Sequence, residues 1–275
     1  MNHRLIHLNQ LYPLDTDPVL EVFQPTYFDF ERKQQPLTRA IVVLPGGGYS
    51  FCSHREADPI ACRFVSEGYC SFVLWYSTGR QFPTPYLELF ACIDYLQEHA
   101  ADLHINKEKI ARIGFSAGGH LAGSYCSLWD DKSRKASLGI ENHNVHVNAL
   151  VLSYPVITRD KWTHLPTRKV ITGGDPYLRE KLSIEKHITK DYPPTFIWAT
   201  EEDNVVPVIN SKRMDRALEK ASVEHCCILY PHLGHGLSLG KNYLNYDSVK
   251  GHEKDREEVS SWFDKCVLFL NRVLD

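Results

Sequence analysis

The sequence predicts an α/β fold, a mostly parallel central sheet with helices on both faces. Three observations carry that prediction. Short apolar runs alternate with helical stretches from about residue 37 to the C-terminus, the element order a parallel sheet requires. Runs such as I-V-V-L (41–44) and F-V-L-W (72–75) are apolar at consecutive positions rather than alternating in polarity, as expected of strands covered on both sides. No repeat, low-complexity linker or composition break interrupts the 275 residues, so one domain spanning 1–275 is expected, without a large cap domain.

Taken in order, the N-terminal segment contains V-L-E-V-F-Q (19–24) and L-T-R-A-I-V-V-L-P (37–45), with Pro and Asp/Thr clusters between them. The second run reads as a buried strand stopped by Pro45 and three glycines. A helix is predicted over Asp58–Glu67, ending at Gly68, and a strand over S-F-V-L-W-Y (71–76). Between Tyr86 and Ala100, Leu89, Cys92, Ile93 and Leu96 recur at helical spacing. K-I-A-R-I-G-F (109–115) reads as a strand and Ala117–Leu128 as a helix. Strands follow at 148–154, 195–200 and 225–230, with helices at Val208–Ala221 and Glu257–Val273. Only Ile157–Pro194 breaks the rhythm; with a short helix over Pro176–His187, it reads as a small lid or insertion.

Composition narrows the function classes. Hydrophobic residues make up 43% and charged residues 24%, ordinary for a globular chain. A net charge of -3 with no basic cluster argues against a nucleic-acid partner. The N-terminal M-N-H-R-L-I-H-L-N-Q lacks a signal-peptide core, and no apolar run approaches the roughly 18 residues that span a bilayer. A cytoplasmic protein without a membrane partner is expected. The eight cysteines form no C-x-x-C pair, so they read as reduced, buried small hydrophobes rather than zinc ligands or a redox couple.

The chemistry centres on R-I-G-F-S-A-G-G-H-L-A-G (112–123). Its G-x-S-x-G should arise by chance only about 0.06 times in such a chain, and here it falls between a strand and a helix. That context suits a nucleophile elbow, a sharp turn lifting the Ser116 hydroxyl above the sheet. Gly114 and Gly118 permit the turn; Gly119, Ala122 and Gly123 keep the helix slim enough to lie close to the sheet. A serine needs a base and an orienting acid, and in this fold they follow in the order Ser, Asp/Glu, His. E-E-D-N-V-V-P follows strand 195–200 and offers Asp203, with Glu201 and Glu202 as competitors. P-H-L-G-H-G follows strand 225–230 and offers His235, with His232 as competitor. His54, His99, His104, His143 and His252 read as surface or loop residues, and His120 as a packed residue on the elbow helix. Oxyanion donors are predicted in the backbone of Ala117 and in P-G-G-G-Y-S (45–50), through Gly47 and Gly48. That loop matches neither phosphate-binding pattern, G-x-x-x-x-G-K-[ST] or G-x-G-x-x-G.

P-G-G-G-Y-S with D-P-I-A, G-F-S-A-G-G-H-L-A, E-E-D-N-V-V-P-V-I-N-S and H-L-G-H-G together resemble the α/β-hydrolase esterase/lipase family, in particular small bacterial acetyl-xylan and sugar-ester deacetylases. The resemblance runs from about Thr38 to the C-terminus. It implies Ser116, Asp203 and His235 as triad, Gly47, Gly48 and Ala117 as oxyanion donors, no metal, no cofactor, and hydrolysis through an acyl-enzyme. Many relatives carry His before the three glycines where this chain has Pro45, and little chain precedes Thr38 to build a cap. An open site for short acyl groups, acetyl above all, is therefore expected, with Tyr49, Phe51, Trp75, Tyr76 and Trp162 as candidate platforms for a sugar ring. The expected partner is a small-molecule ester, an acetylated sugar or xylo-oligosaccharide among the candidates; a homo-oligomer is compatible with the sequence. The rivals are a prolyl-oligopeptidase-type serine peptidase, which would need a large extra domain, and a non-catalytic receptor, which would tend to lose a triad member.

Overall fold

The computed structural model describes residues 1–25, 37–158, 160–241 and 252–275. Part of the stretch between the first two apolar runs, and Arg159, lie outside the described residues. The described residues form eight strands: β1 (Asn2–His7), β2 (Val19–Gln24), β3 (Thr38–Leu44), β4 (Cys70–Trp75), β5 (Ile105–Phe115), β6 (Ala149–Ser153), β7 (Thr195–Thr200) and β8 (His225–Tyr230). One sheet contains them all in the order β1-β2-β4-β3-β5-β6-β7-β8. β1 pairs antiparallel with β2, and β2 with β4. Every pairing from β4 to β8 is parallel. This is the predicted mostly parallel sheet, with an antiparallel edge built from the chain ahead of Thr38.

The helices are α1 (Asp58–Ser66), α2 (Thr84–Glu98), α3 (Ala117–Cys126), α4 (Lys132–Ser137), α5 (Leu165–Thr172), α6 (Pro176–Lys181), α7 (Ile209–Lys220), α8 (Glu253–Ser260) and α9 (Trp262–Leu274). They cover both faces, and the central strands divide their side chains accordingly. Along β3, Ala40, Val42 and Leu44 pack with α2, α3 and α7, while Ile41 and Val43 pack with α1 and α9. A run apolar at every position is what two buried faces require. The second layer closes on Trp262, whose ring stacks on Trp198 of β7 at 4.9 Å and 16°. Each large apolar side chain so buried contributes about 1.5–3 kcal/mol.

Three sequence expectations change. The closing helix is two helices, α8 and α9, meeting at Ser261, because only the second half carries a continuous apolar stripe. The predicted helix 176–187 ends at Lys181 and resumes as a short 3₁₀ turn at Ile184–Lys186. The cysteines are not uniformly buried: Cys70, Cys92, Cys126 and Cys266 are, Cys52, Cys226 and Cys227 are half-buried, and Cys62 on α1 is exposed. None of the described helices is long and apolar enough to cross a membrane.

The tightest backbone packing lies where β5 meets α3. A Cβ on Gly114 would run into the backbone of Gly118. A Gly118 Cβ would run into the carbonyls of Leu44 and Pro45 at the end of β3. Gly119 sits against Pro155, where a Cβ would come within 2.9 Å of the ring. Gly123 differs from expectation: it faces Ile184 and Tyr192 of the 157–194 connection rather than the sheet. Gly114→Ala should therefore lower stability by about 2–3 kcal/mol, read as a drop in the thermal or urea unfolding midpoint. An unchanged midpoint would show that the helix can withdraw from the sheet at no cost.

Candidate active site

β5 delivers Ser116 directly onto the N-terminus of α3. The serine has φ 51° and ψ -113°, a conformation that non-glycine residues rarely adopt and that persists only when surroundings over-determine it. Here its N–H donates to the Ser153 carbonyl at 3.0 Å, and its own carbonyl accepts from His120 and Val156 at 3.1 Å each. The backbone is thus held on three sides while the hydroxyl points above the sheet.

Asp203 and His235 arrive on the loops after β7 and β8, as the sequence order predicts. Asp203 is 5% exposed. Its Oδ1 accepts the N–H groups of Val205 and Val206 at 2.9 and 2.8 Å, and its Oδ2 lies 2.6 Å from His235 Nδ1. His235 Nε2 lies 2.8 Å from Ser116 Oγ. A carboxylate only accepts, so the Nδ1 proton faces Asp203 and the Nε2 lone pair faces the serine hydroxyl. In that tautomer the imidazole can take the hydroxyl proton as the oxygen attacks a carbonyl carbon. The Tyr154 ring meets the imidazole edge-on at 4.9 Å and limits its swing.

The competitors point elsewhere. Glu201 pairs with Lys212 at 3.0 Å on the surface. Glu202 accepts from His232 Nδ1 and from the Leu233 N–H, both at 3.1 Å. That hydrogen bond holds the exposed His232 above the usual imidazole range and Glu202 below the usual carboxylate range. His120 is fully buried; its Nε2 lies 3.0 Å from the Leu182 carbonyl and its Nδ1 2.8 Å from the Tyr49 hydroxyl. It therefore packs the elbow helix against the glycine loop, as expected. Among the other histidines, His54 and His252 are exposed, whereas His99, His104 and His143 are half-buried.

The glycine loop is fixed by many bonds. Gly46 N–H donates to Glu56 Oε2 at 2.9 Å, and Tyr76 donates to the Pro45 carbonyl at 2.6 Å. Ser50 and Phe51 N–H donate to the Gly47 carbonyl at 2.9 and 3.3 Å. Gly47 and Gly48 have φ 126° and 65°, within the region that favours glycine. Their N–H groups, like that of Ala117 at the first position of α3, find no backbone acceptor among the described residues. All three remain available to an oxyanion.

A pocket of about 480 Å³ opens between these loops, with Ser116, His235, Gly47 and Gly48 at its floor and Phe51 and Val205 at its rim. His164 and Pro166, from the 157–194 connection, form its far wall. Of the proposed aromatic platforms, Phe51 lines the pocket and is 61% exposed, and Trp162 is exposed but does not line it. Tyr49 and Tyr76 are buried in the core, and Trp75 is mostly covered, so burial removes them from that role. Glu56 and His164 escape the sequence reading because no motif marks them, and Val205 because only the acids of E-E-D-N-V-V-P are read there. A cluster with the donor set of a cation site, Asp94, Glu98 and His143, lies away from the strand ends. There Asp94 already accepts from Tyr12 at 2.8 Å and meets His143 at 2.7 Å, which accounts for it structurally.

Gly47→Ala would place a Cβ on the Phe51 carbonyl and so must deform the loop. With a short acyl ester, kcat/KM should fall on the order of 100-fold or more, and the strained loop should lower the thermal midpoint as well; an alanine enzyme of full activity would remove Gly47 from the site.

A family model described as BD-FAE matches residues 27–218. Endo-1,4-beta-xylanase B of Butyrivibrio fibrisolvens is 30% identical over 244 residues, 86% of this chain and 38% of that protein. The acetylxylan esterase of Xylanibacter ruminicola is 27% identical over 241 residues, 83% of this chain and 46% of that one. The chain thus spans less than half the length of either relative. An acetyl ester-xyloside bifunctional hydrolase from Caldicellulosiruptor lactoaceticus superposes with a TM-score of 0.80 at 29% identity, covering 96% of each chain.

Proposed function

Because the chain belongs to the BD-FAE family and has the α/β-hydrolase fold, we propose that it is a serine carboxylesterase for short acyl esters, acetyl above all. The observation that carries this reading is the unbroken line from Asp203 Oδ2 through His235 to Ser116 Oγ, with distances of 2.6 and 2.8 Å. Ser116 attacks the ester carbonyl as His235 takes its proton, and Asp203 orients and stabilises the imidazolium. The N–H groups of Gly47, Gly48 and Ala117 hold the oxyanion. The tetrahedral intermediate collapses to an acyl-Ser116, and the alcohol leaves with the proton from His235. Water then repeats the sequence: His235 deprotonates it, it adds to the acyl carbon, and Ser116 leaves protonated with release of the acid.

The alcohol half is an acetylated sugar or xylo-oligosaccharide in this reading. The likeness to an acetylxylan esterase and an acetyl ester-xyloside hydrolase supports it. A pocket of about 480 Å³ with an exposed Phe51 at its rim suits a small acyl group beside a sugar ring. In this reading residues 1–275 act as one domain, with 157–194 as a small lid or insertion that supplies His164 and Pro166 to the pocket.

Ser116→Ala and His235→Gln should each lower kcat on p-nitrophenyl acetate by at least about 10³-fold, whereas His232→Gln should stay within about twofold of wild type because its hydrogen bond lies at the surface. Wild-type turnover by Ser116→Ala would end the nucleophile assignment. Across an acyl series from acetyl to octanoyl, kcat/KM should be highest at the short end and higher for acetylated xylo-oligosaccharides than for alkyl acetates. Preference for long chains would refute the short-acyl reading.

A further inference from the structure

Besides the three residues in line, one buried carboxylate touches both halves of the site. Glu56 is 3% exposed and follows the glycine loop on a short 3₁₀ turn, His54–Glu56. Its Oε2 accepts the Gly46 N–H at 2.9 Å, one residue before the first oxyanion donor. Its Oε1 accepts the Tyr154 hydroxyl at 2.7 Å. The Tyr154 oxygen in turn accepts the Ser238 N–H at 3.0 Å, three residues past His235. Burial and the neighbouring Glu56 carboxylate hold the phenol pKa well above its usual value, so its single proton stays and points at Glu56. The chain of bonds from Gly46 to Ser238 is therefore complete, with donation converging on the Glu56 carboxylate from both ends. Tyr154 itself has φ 38°, and its N–H donates to the Trp198 carbonyl at 2.7 Å. A non-glycine residue in that conformation, immediately after β6, marks a side chain placed at a cost in backbone energy.

We propose that Glu56 and Tyr154 are positioning residues, a strut that sets the distance between the oxyanion loop and the His235 loop. This rests on the esterase reading of Ser116 and His235. The strut acts on two groups that must converge on one tetrahedral carbon, so losing it affects the transition state more than the bound ester. Glu56→Gln keeps the shape but offers only one acceptor for two donors, and its amide confronts either Gly46 N–H or the phenol. Tyr154→Phe keeps the ring against His235 and removes only the hydroxyl link.

The test measures kcat, KM and thermal midpoint on p-nitrophenyl acetate for both variants, together with the rate of fluorophosphonate labelling of Ser116. Each variant should lose kcat on the order of 10- to 100-fold with KM within about threefold, and labelling should slow in parallel. Folded Glu56→Gln or Tyr154→Phe with wild-type kcat and labelling would overturn the strut. If Glu56→Gln does not fold, Tyr154→Phe decides alone, because its packing is unchanged. Ser116→Ala separates the two readings: if it remains active, the esterase reading fails, and if it is dead while both strut variants are fully active, only the strut fails.

Discussion

The absence of side chains at Gly114 and Gly118 lets the first turn of α3 press against the ends of β5 and β3, with Leu44 and Pro45 carbonyls occupying the space a Cβ would need. The other features of the site follow from this approach. It forces the chain to reverse within one residue, which is why Ser116 adopts φ 51°. It brings the Ala117 N–H at the start of α3, which has no backbone acceptor among the described residues, beside the glycine loop that leaves β3. It also leaves the serine hydroxyl beyond the strand ends, where the loop after β8 reaches it through His235. The energy stored in that turn is offset by the two core layers on either side of the sheet.

Most of this was legible in the sequence where a residue type has one physical use. Three glycines after a β-branched run, a serine between glycines, and acid and histidine loops after later strands each admit few structural explanations, and the chain order fixed which loops had to meet. The edge of the sheet was harder to read. β1 buries none of its residues and carries His3 and Arg4, so no apolar run marks it, and pairing with β2 alone defines it. α5 was hidden similarly, because only Thr167, Ile171 and Thr172 of its eight residues are buried. Arg112 shows the opposite difficulty: a charged residue lies fully buried inside β5, its guanidinium 4.1 Å over the Tyr125 ring.

The polar partners behind the site were the least legible. Glu56 reads in sequence as one more acidic residue in S-H-R-E-A-D-P, and Tyr154 as the end of a strand. Their burial depends on which loops converge, a property of the tertiary fold alone. The same holds for Pro45. A proline has no N–H to give, yet its carbonyl receives the Tyr76 hydroxyl, so the loop is anchored there by an acceptor.

The far wall of the pocket begins and ends at one place. The Ile184 N–H donates to the Ile157 carbonyl at 3.3 Å, and the buried Asn210 carboxamide binds the N–H groups of Ile157 and Thr158 and the carbonyl of Trp162. A segment whose two ends are pinned to each other and to α7 behaves as a closed loop, and lengthening such a loop costs little entropy. Ile171 and Leu182 are nonetheless buried and the Leu182 carbonyl meets His120 on the elbow helix, so only the stretch around His164 and Pro166, which faces the pocket, varies without reaching Ser116. Substrate preference can diverge in this one loop while the chemistry beneath it stays the same.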